Sequence, residues 1–227
     1  MRDTGEIKNA KLINELCVND FARRADVVLV NGKLSAFEIK GDYDSLYRLD
    51  GQVETFSRFF ESLTIVCSGK HTEGVLQKVP SSIGVWQVSS DQQLEIVRPA
   101  RVKTNTDIDI WLSFLPVRIL LPMALGRGLA VGSGNRADLL NSMRTLPVSE
   151  IRQEVLKFLK SPKRVPKRTC PTEAKQKLQR TDPVALQLQR IREFLSMIGS
   201  SAQQGTAMPR KTARESLIRQ KSSSAVE

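Results

Sequence analysis

A mixed central β-sheet flanked by helices, an α/β (α+β) arrangement, is the fold class this sequence predicts, and three patterns predict it. Two apolar runs, 25–30 and 34–39, flank an Asn31-Gly32 turn and read as a β-hairpin. Leu46, Leu49, Val53, Phe56 and Phe60 then recur at three- and four-residue steps, so residues 44–61 read as an amphipathic helix packing on a sheet. Further short apolar runs at 63–67, 83–88 and 94–97 are spaced as buried strands, with a helical stretch at 71–78 between the first two.

Taken in order, residues 1–10 barely make a helix of ordinary length, and 12–18 reads as the first strand. The hairpin, the long helix, a buried strand, a short helix and two strands joined through a polar turn around Asp91 follow. Beyond Pro99 the strand alternation stops. Residues 101–109 are polar and linker-like, and helical segments are expected near 110–125, 135–145 and 148–160. The last is the clearest: Ser149 offers an N-cap, Ile151, Val155, Phe158 and Leu159 share one face, and Pro162 follows its end. The expected organisation is therefore a sheet domain over 1–98, a helical extension over 99–160 that packs on the sheet domain or forms a small lid, and a basic tail over 161–227 that is largely disordered apart from a helix near 183–198. Asp182-Pro183 supplies that helix with a cap and a first-turn proline ahead of Leu186, Ile191, Phe194, Leu195 and Ile198, and docking on another copy of the chain would make a homodimer.

Composition narrows the chemistry. A chain of 227 residues with 40% hydrophobic content can bury one sizeable core. The polar start, and an apolar stretch at 119–131 that is short and broken by Arg127, predict no signal peptide and no membrane span, hence a cytoplasmic protein. Three scattered cysteines make neither a disulfide framework nor a zinc site, and the single histidine, His71, weakens Ser-His-Asp and histidine-metal schemes. Any chemistry falls to carboxylates, lysine and a metal.

The hairpin carries those groups: Asp26 on its first strand, Glu38 and Lys40 on its second. Oxygen ligands suit Mg²⁺ or Mn²⁺, such a cation acts on phosphoryl groups and bound water, and a nearby ammonium stabilises developing charge. Side chains alternate faces along a strand, so Glu38 and Lys40 share one. Whether Asp26 joins them depends on the turn. A two-residue turn pairs positions whose numbers sum to an odd value and sends Asp26 to the opposite face from Glu38; a three-residue loop with Gly32 left-handed pairs positions with an even sum and brings them together. The spacing alone leaves both open, together with an ordinary edge hairpin bearing solvated charges.

The order of strand with Asp26, strand with Glu38-x-Lys40, and helix with Gln52 resembles the PD-(D/E)XK nuclease superfamily, which includes Holliday-junction resolvases, restriction endonucleases and RecB-type nucleases. The likeness is strongest over residues 24–70, toward a little-characterised bacterial branch, and extends more weakly to about 160. It implies a restriction-endonuclease-like core in which Asp26 and Glu38 hold Mg²⁺ or Mn²⁺, Lys40 orients the attacking water or stabilises the phosphate, and Gln52 stands in the RecB-type Gln-x-x-x-Tyr element. Phe56 replaces the tyrosine of that element, and Ala25 the usual proline before the aspartate. An upstream acid also belongs to the pattern, and Glu6 and Glu15 are the two candidates.

Charge is concentrated at one end. Residues 161–227 hold fourteen Lys/Arg and five Asp/Glu, a net +9 of the total +11, which leaves +2 for residues 1–160. Lys163, Arg164, Lys167 and Arg168 form the densest cluster and are expected to neutralise phosphates, DNA before RNA, without reading sequence. The expected activity is metal-dependent hydrolysis of DNA phosphodiesters, in bacterial repair, recombination or defence against foreign DNA. The rival expectation is a non-catalytic nucleic-acid-binding module on the same fold.

Overall fold

A computed structural model describes residues 10–161 apart from positions 90 and 92. Glu6, the basic cluster and the 183–198 segment lie outside the described residues.

Six strands form one mixed sheet in sequence order: β1 (Lys11–Val18), β2 (Arg23–Val30), β3 (Leu34–Lys40), β4 (Ser62–Ser68), β5 (Gly84–Val88) and β6 (Leu94–Arg98). The first three are antiparallel neighbours, β3, β4 and β5 run parallel, and β6 returns antiparallel. Parallel pairs need crossovers, and two helices supply them: α1 (Leu49–Phe59) between β3 and β4, and α2 (Gly69–Lys78) between β4 and β5. The expected 44–61 helix is thus shorter. Ser45 accepts the Tyr47 N–H and caps a 3-10 turn, Leu46–Arg48, which leads into α1.

Among the described residues four helices follow: α3 (Ile108–Ser113), α4 (Val117–Leu125), α5 (Arg136–Met143) and α6 (Val148–Lys160). The continuous helix expected over 110–125 is two helices, because Pro116 disfavours a helical conformation at Leu115 and instead opens α4 as its N-cap. Asp107 caps α3 through Asp109 and Ile110, and Asn135 caps α5 through Asp138. Ser149 does not cap α6; Pro147 holds that position, and Ser149 lies in the first turn.

The described residues beyond 99 do not form a core of their own. Trp111, Leu120, Leu139, Met143, Ile151 and Val155 share one hydrophobic cluster with Val28, Leu34 and Ile65 of the sheet and with Phe56 of α1. Each such side chain contributes about 1.5–3 kcal/mol when fully buried, so the helical extension is part of the sheet domain's core. On the opposite face, Val27, Phe37, Ile39, Val66 and Trp86 form a second cluster, with the Phe37 and Trp86 rings 5.2 Å apart.

Strand alternation breaks between β1 and β2. On β1, Ile13, Leu16 and Val18 all lie in the helix-side core, and on β2 so do Ala25, Val28 and Val30. Steps of three rather than two separate Ile13 from Leu16 and Ala25 from Val28, so both strands change phase together. Glu15, at φ 55°, and its opposite position Asp26 are missing from an otherwise continuous ladder. A non-glycine residue in that conformation costs about 1–3 kcal/mol, and such strain persists only where the surroundings enforce it. It lies beside the first acid of the predicted site.

Candidate active site

Asp26, Glu38, Lys40 and Gln52 come together where β2 and β3 part. The ladder pairs Val30 with Leu34, Leu29 with Ser35, Val28 with Ala36 and Val27 with Phe37, each pair summing to 64. That even sum is the three-residue connection, 31–33, with Gly32 at φ 68°. Asp26 therefore falls opposite Glu38. The ladder ends at Val27, and Asp26 Oδ2 accepts the Ile39 N–H at 2.9 Å, a carboxylate standing in for the backbone partner.

Glu38 and Lys40 share their face of β3 with Leu34 and Ala36, which belong to the helix-side core, whereas Phe37 and Ile39 belong to the opposite cluster. This turns both toward α1. Lys40 Nζ lies 3.0 Å from Glu38 Oε1 and donates to Gln52 Oε1 at 2.8 Å, while Gln52 Nε2 donates to the same Glu38 oxygen. Glu38 and Lys40 are each only 3% exposed. Gln52 reaches them because its neighbours on α1, Val53 and Phe56, are buried in the core and fix the helix's rotation. Phe56 is fully buried against Phe60, their ring centres 5.9 Å apart. A tyrosine hydroxyl there would be dragged out of water. Ala25, where the pattern has proline, is fully buried and pairs with Leu16 in the ladder.

Burial, and after it the nearness of Asp26, raises Glu38 from its ordinary 4.5 to about 8, outweighing the opposing pull of Lys40 and of the two hydrogen bonds. Glu38 Oε1 takes two donors, while Oε2 is buried with no hydrogen-bond partner. Both features fit a hard divalent cation, which would give the orphaned oxygen a partner and favour the ionised carboxylate. Among the described residues no group of three or more His, Cys, Asp or Glu side chains is arranged to hold a metal. The two carboxylates would hold it as a pair, with water completing the shell as Mg²⁺ sites commonly require.

Glu15 does not join them as a third acid of such a group. Its carboxylate lies 3.4 Å from Arg24 Nη1 at the kink in β1. Cys67 is buried, and burial pushes its thiol up. His71 sits in the first turn of α2. Two side chains outside the predicted set pair beside the β2–β3 turn: Arg152, which is partly exposed, lies 3.0 Å from the buried Glu61. They are 91 positions apart, so no local pattern links them.

The chain matches the family described as Bacteriophage P4 protein cII over residues 1–186. It belongs to that family. Protein cII of Enterobacteria phage P4 is 35% identical to it over 161 residues, which cover 69% of this chain and 61% of the phage protein, so the chain spans about three fifths of that relative's length. A protein of unknown function from Silicibacter pomeroyi, whose structure is solved, aligns with 53% of this chain and 77% of its own at 16% identity and a TM-score of 0.37. No described helix is long and apolar enough to cross a membrane.

Proposed function

We propose that the chain is a metal-dependent nuclease-like hydrolase of DNA phosphodiesters, with the sheet and α1 forming a restriction-endonuclease-like core. One observation carries this reading: the even register of the β2–β3 hairpin gathers Asp26, Glu38, Lys40 and Gln52 at one point, with an unpartnered carboxylate oxygen among them. Asp26 and Glu38 would hold Mg²⁺ or Mn²⁺, which when bound polarises a phosphoryl oxygen and lowers the pKa of water.

The chain's own groups do the rest. Ile39 N–H fixes the Asp26 carboxylate, so one ligand is held before any ion arrives. Gln52 fixes Lys40 and Glu38 together. Lys40 presents its ammonium beside the carboxylates, where it stabilises the negative charge that develops on a phosphate under attack. Low local dielectric strengthens that contribution.

Replacing Lys40 by Ala should abolish Mg²⁺- or Mn²⁺-dependent cleavage of DNA while circular dichroism shows an intact fold. Equal cleavage by wild type and variant refutes the assignment. A wild-type chain that binds single-stranded, duplex and branched DNA yet cleaves none of them with either ion makes it a binding module instead.

A further inference from the structure

The register that gathers the site is not secured by the hairpin itself. Register is normally fixed because a one-residue slip exposes an apolar face. Here β3 is buried along its whole length, and β2 is apolar on both sides, with Val28 and Val30 toward the helices and Val27 and Leu29 toward the opposite cluster. A slip would largely exchange valine for valine. The Asn31-Gly32 pair, moreover, favours a two-residue connection. That form would pair position 30 with 33 and bring Ala25 rather than Asp26 opposite Glu38. Something outside the hairpin selects the longer turn.

Arg152, on α6, makes the deciding contact. Its Nη2 donates to the carbonyl of Gly32 at 2.6 Å, inside the turn itself. The same guanidinium donates to both oxygens of Glu61, at 3.0 and 3.2 Å, and lies 5.7 Å from the centre of the Trp111 ring. Glu61 is itself immobilised: it is buried, its Oε2 accepts the Leu34 N–H at 2.8 Å, and its own N–H donates to the Leu34 carbonyl at 2.9 Å. Carboxylate and indole thus aim the guanidinium from the core, and its remaining reach ends on Gly32.

We propose that Arg152, oriented by Glu61, is a positioning residue that selects the three-residue β2–β3 connection and thereby places Asp26 opposite Glu38. Its consequence for metal binding rests on the function proposed above; the choice of register does not.

Two readouts on the full chain test this. Leu34 turns both backbone groups to Glu61, so Val30/Leu34 and Val28/Ala36 are non-hydrogen-bonded pairs, whose Cα atoms come within about 4.5 Å. The slipped hairpin would instead bring Val27 and Ala36 together. NMR of the wild type should show an Hα–Hα contact between Val28 and Ala36. Arg152→Ala should add or substitute the Val27–Ala36 contact and weaken Mn²⁺ binding at least about tenfold, the weight of one charge-assisted hydrogen bond. Arg152→Lys keeps a cation against Glu61 but gives up the planar fork, so it decides the matter if Arg152→Ala does not fold. Retention of the Val28–Ala36 contact alone in a folded variant overturns the proposal. If the wild type binds no Mn²⁺, the site reading fails, and the Hα contacts still judge the role of Arg152.

Discussion

The proton on Glu38 offers a quantitative test that needs no substrate. A carboxyl raised from 4.5 to about 8 keeps its proton in the folded chain over a range where the unfolded chain has released it. Within that window the folded state binds more protons, so stability falls as pH rises. It is flat below about 4.5, where both states are protonated, and flat again above about 8, where both are ionised. Each pH unit is worth about 1.4 kcal/mol, so the full window corresponds to roughly 5 kcal/mol as a ceiling. Glu38→Gln removes the titrating group while keeping an oxygen that can accept from Lys40. Urea unfolding in EDTA at pH 5, 6, 7 and 8 should show the wild type losing ground to the variant at each step. With Mg²⁺ or Mn²⁺ the trend should shrink or reverse, because the ion binds the deprotonated carboxylate and competes with the proton. A metal-free wild type that gains stability relative to Glu38→Gln as pH rises refutes the reasoning, since Glu38 would then be ionised and stabilising throughout.

Two further outcomes follow from charge and packing. Changing Lys163, Arg164, Lys167 and Arg168 together to Gln should reduce the slope of log affinity for duplex DNA against log salt by about 3 to 4, if all four meet phosphates. An unchanged slope in that titration removes the cluster from the nucleic-acid interface. At the start of β5, a Cβ on Gly84 would lie 2.7 Å from Thr64 Oγ1 and 2.9 Å from the backbone nitrogen of Ala100. Gly84→Ala should therefore lower stability by about 1–3 kcal/mol, as overpacking does. A urea midpoint equal to that of the wild type contradicts the close approach of these segments.

Local chemistry in the sequence determined the elements and most of their order. The apolar runs of β2 to β5 and the three- and four-residue rhythm of α1 and α6 depend on near neighbours, and so does the sharing of one face by Glu38 and Lys40. Other features were beyond its reach because they depend on groups far apart along the chain. Asn31-Gly32 allows either turn, and Arg152, held by Glu61 and 120 positions away, donates to the Gly32 carbonyl inside the turn that forms. The phase change at Glu15 and Asp26 is shared by two strands, and strain of that kind has no signature in a single run of residues. The linker-like look of 101–109 named no partners for that segment; Asn105 bonds to Arg58 and receives the Trp111 indole N–H, tying it into the same core. Strand period tells which residues share a side of one strand. Bringing the acid of one strand to the acid of the next is decided by register, and in a hairpin buried on both faces register comes from tertiary contacts.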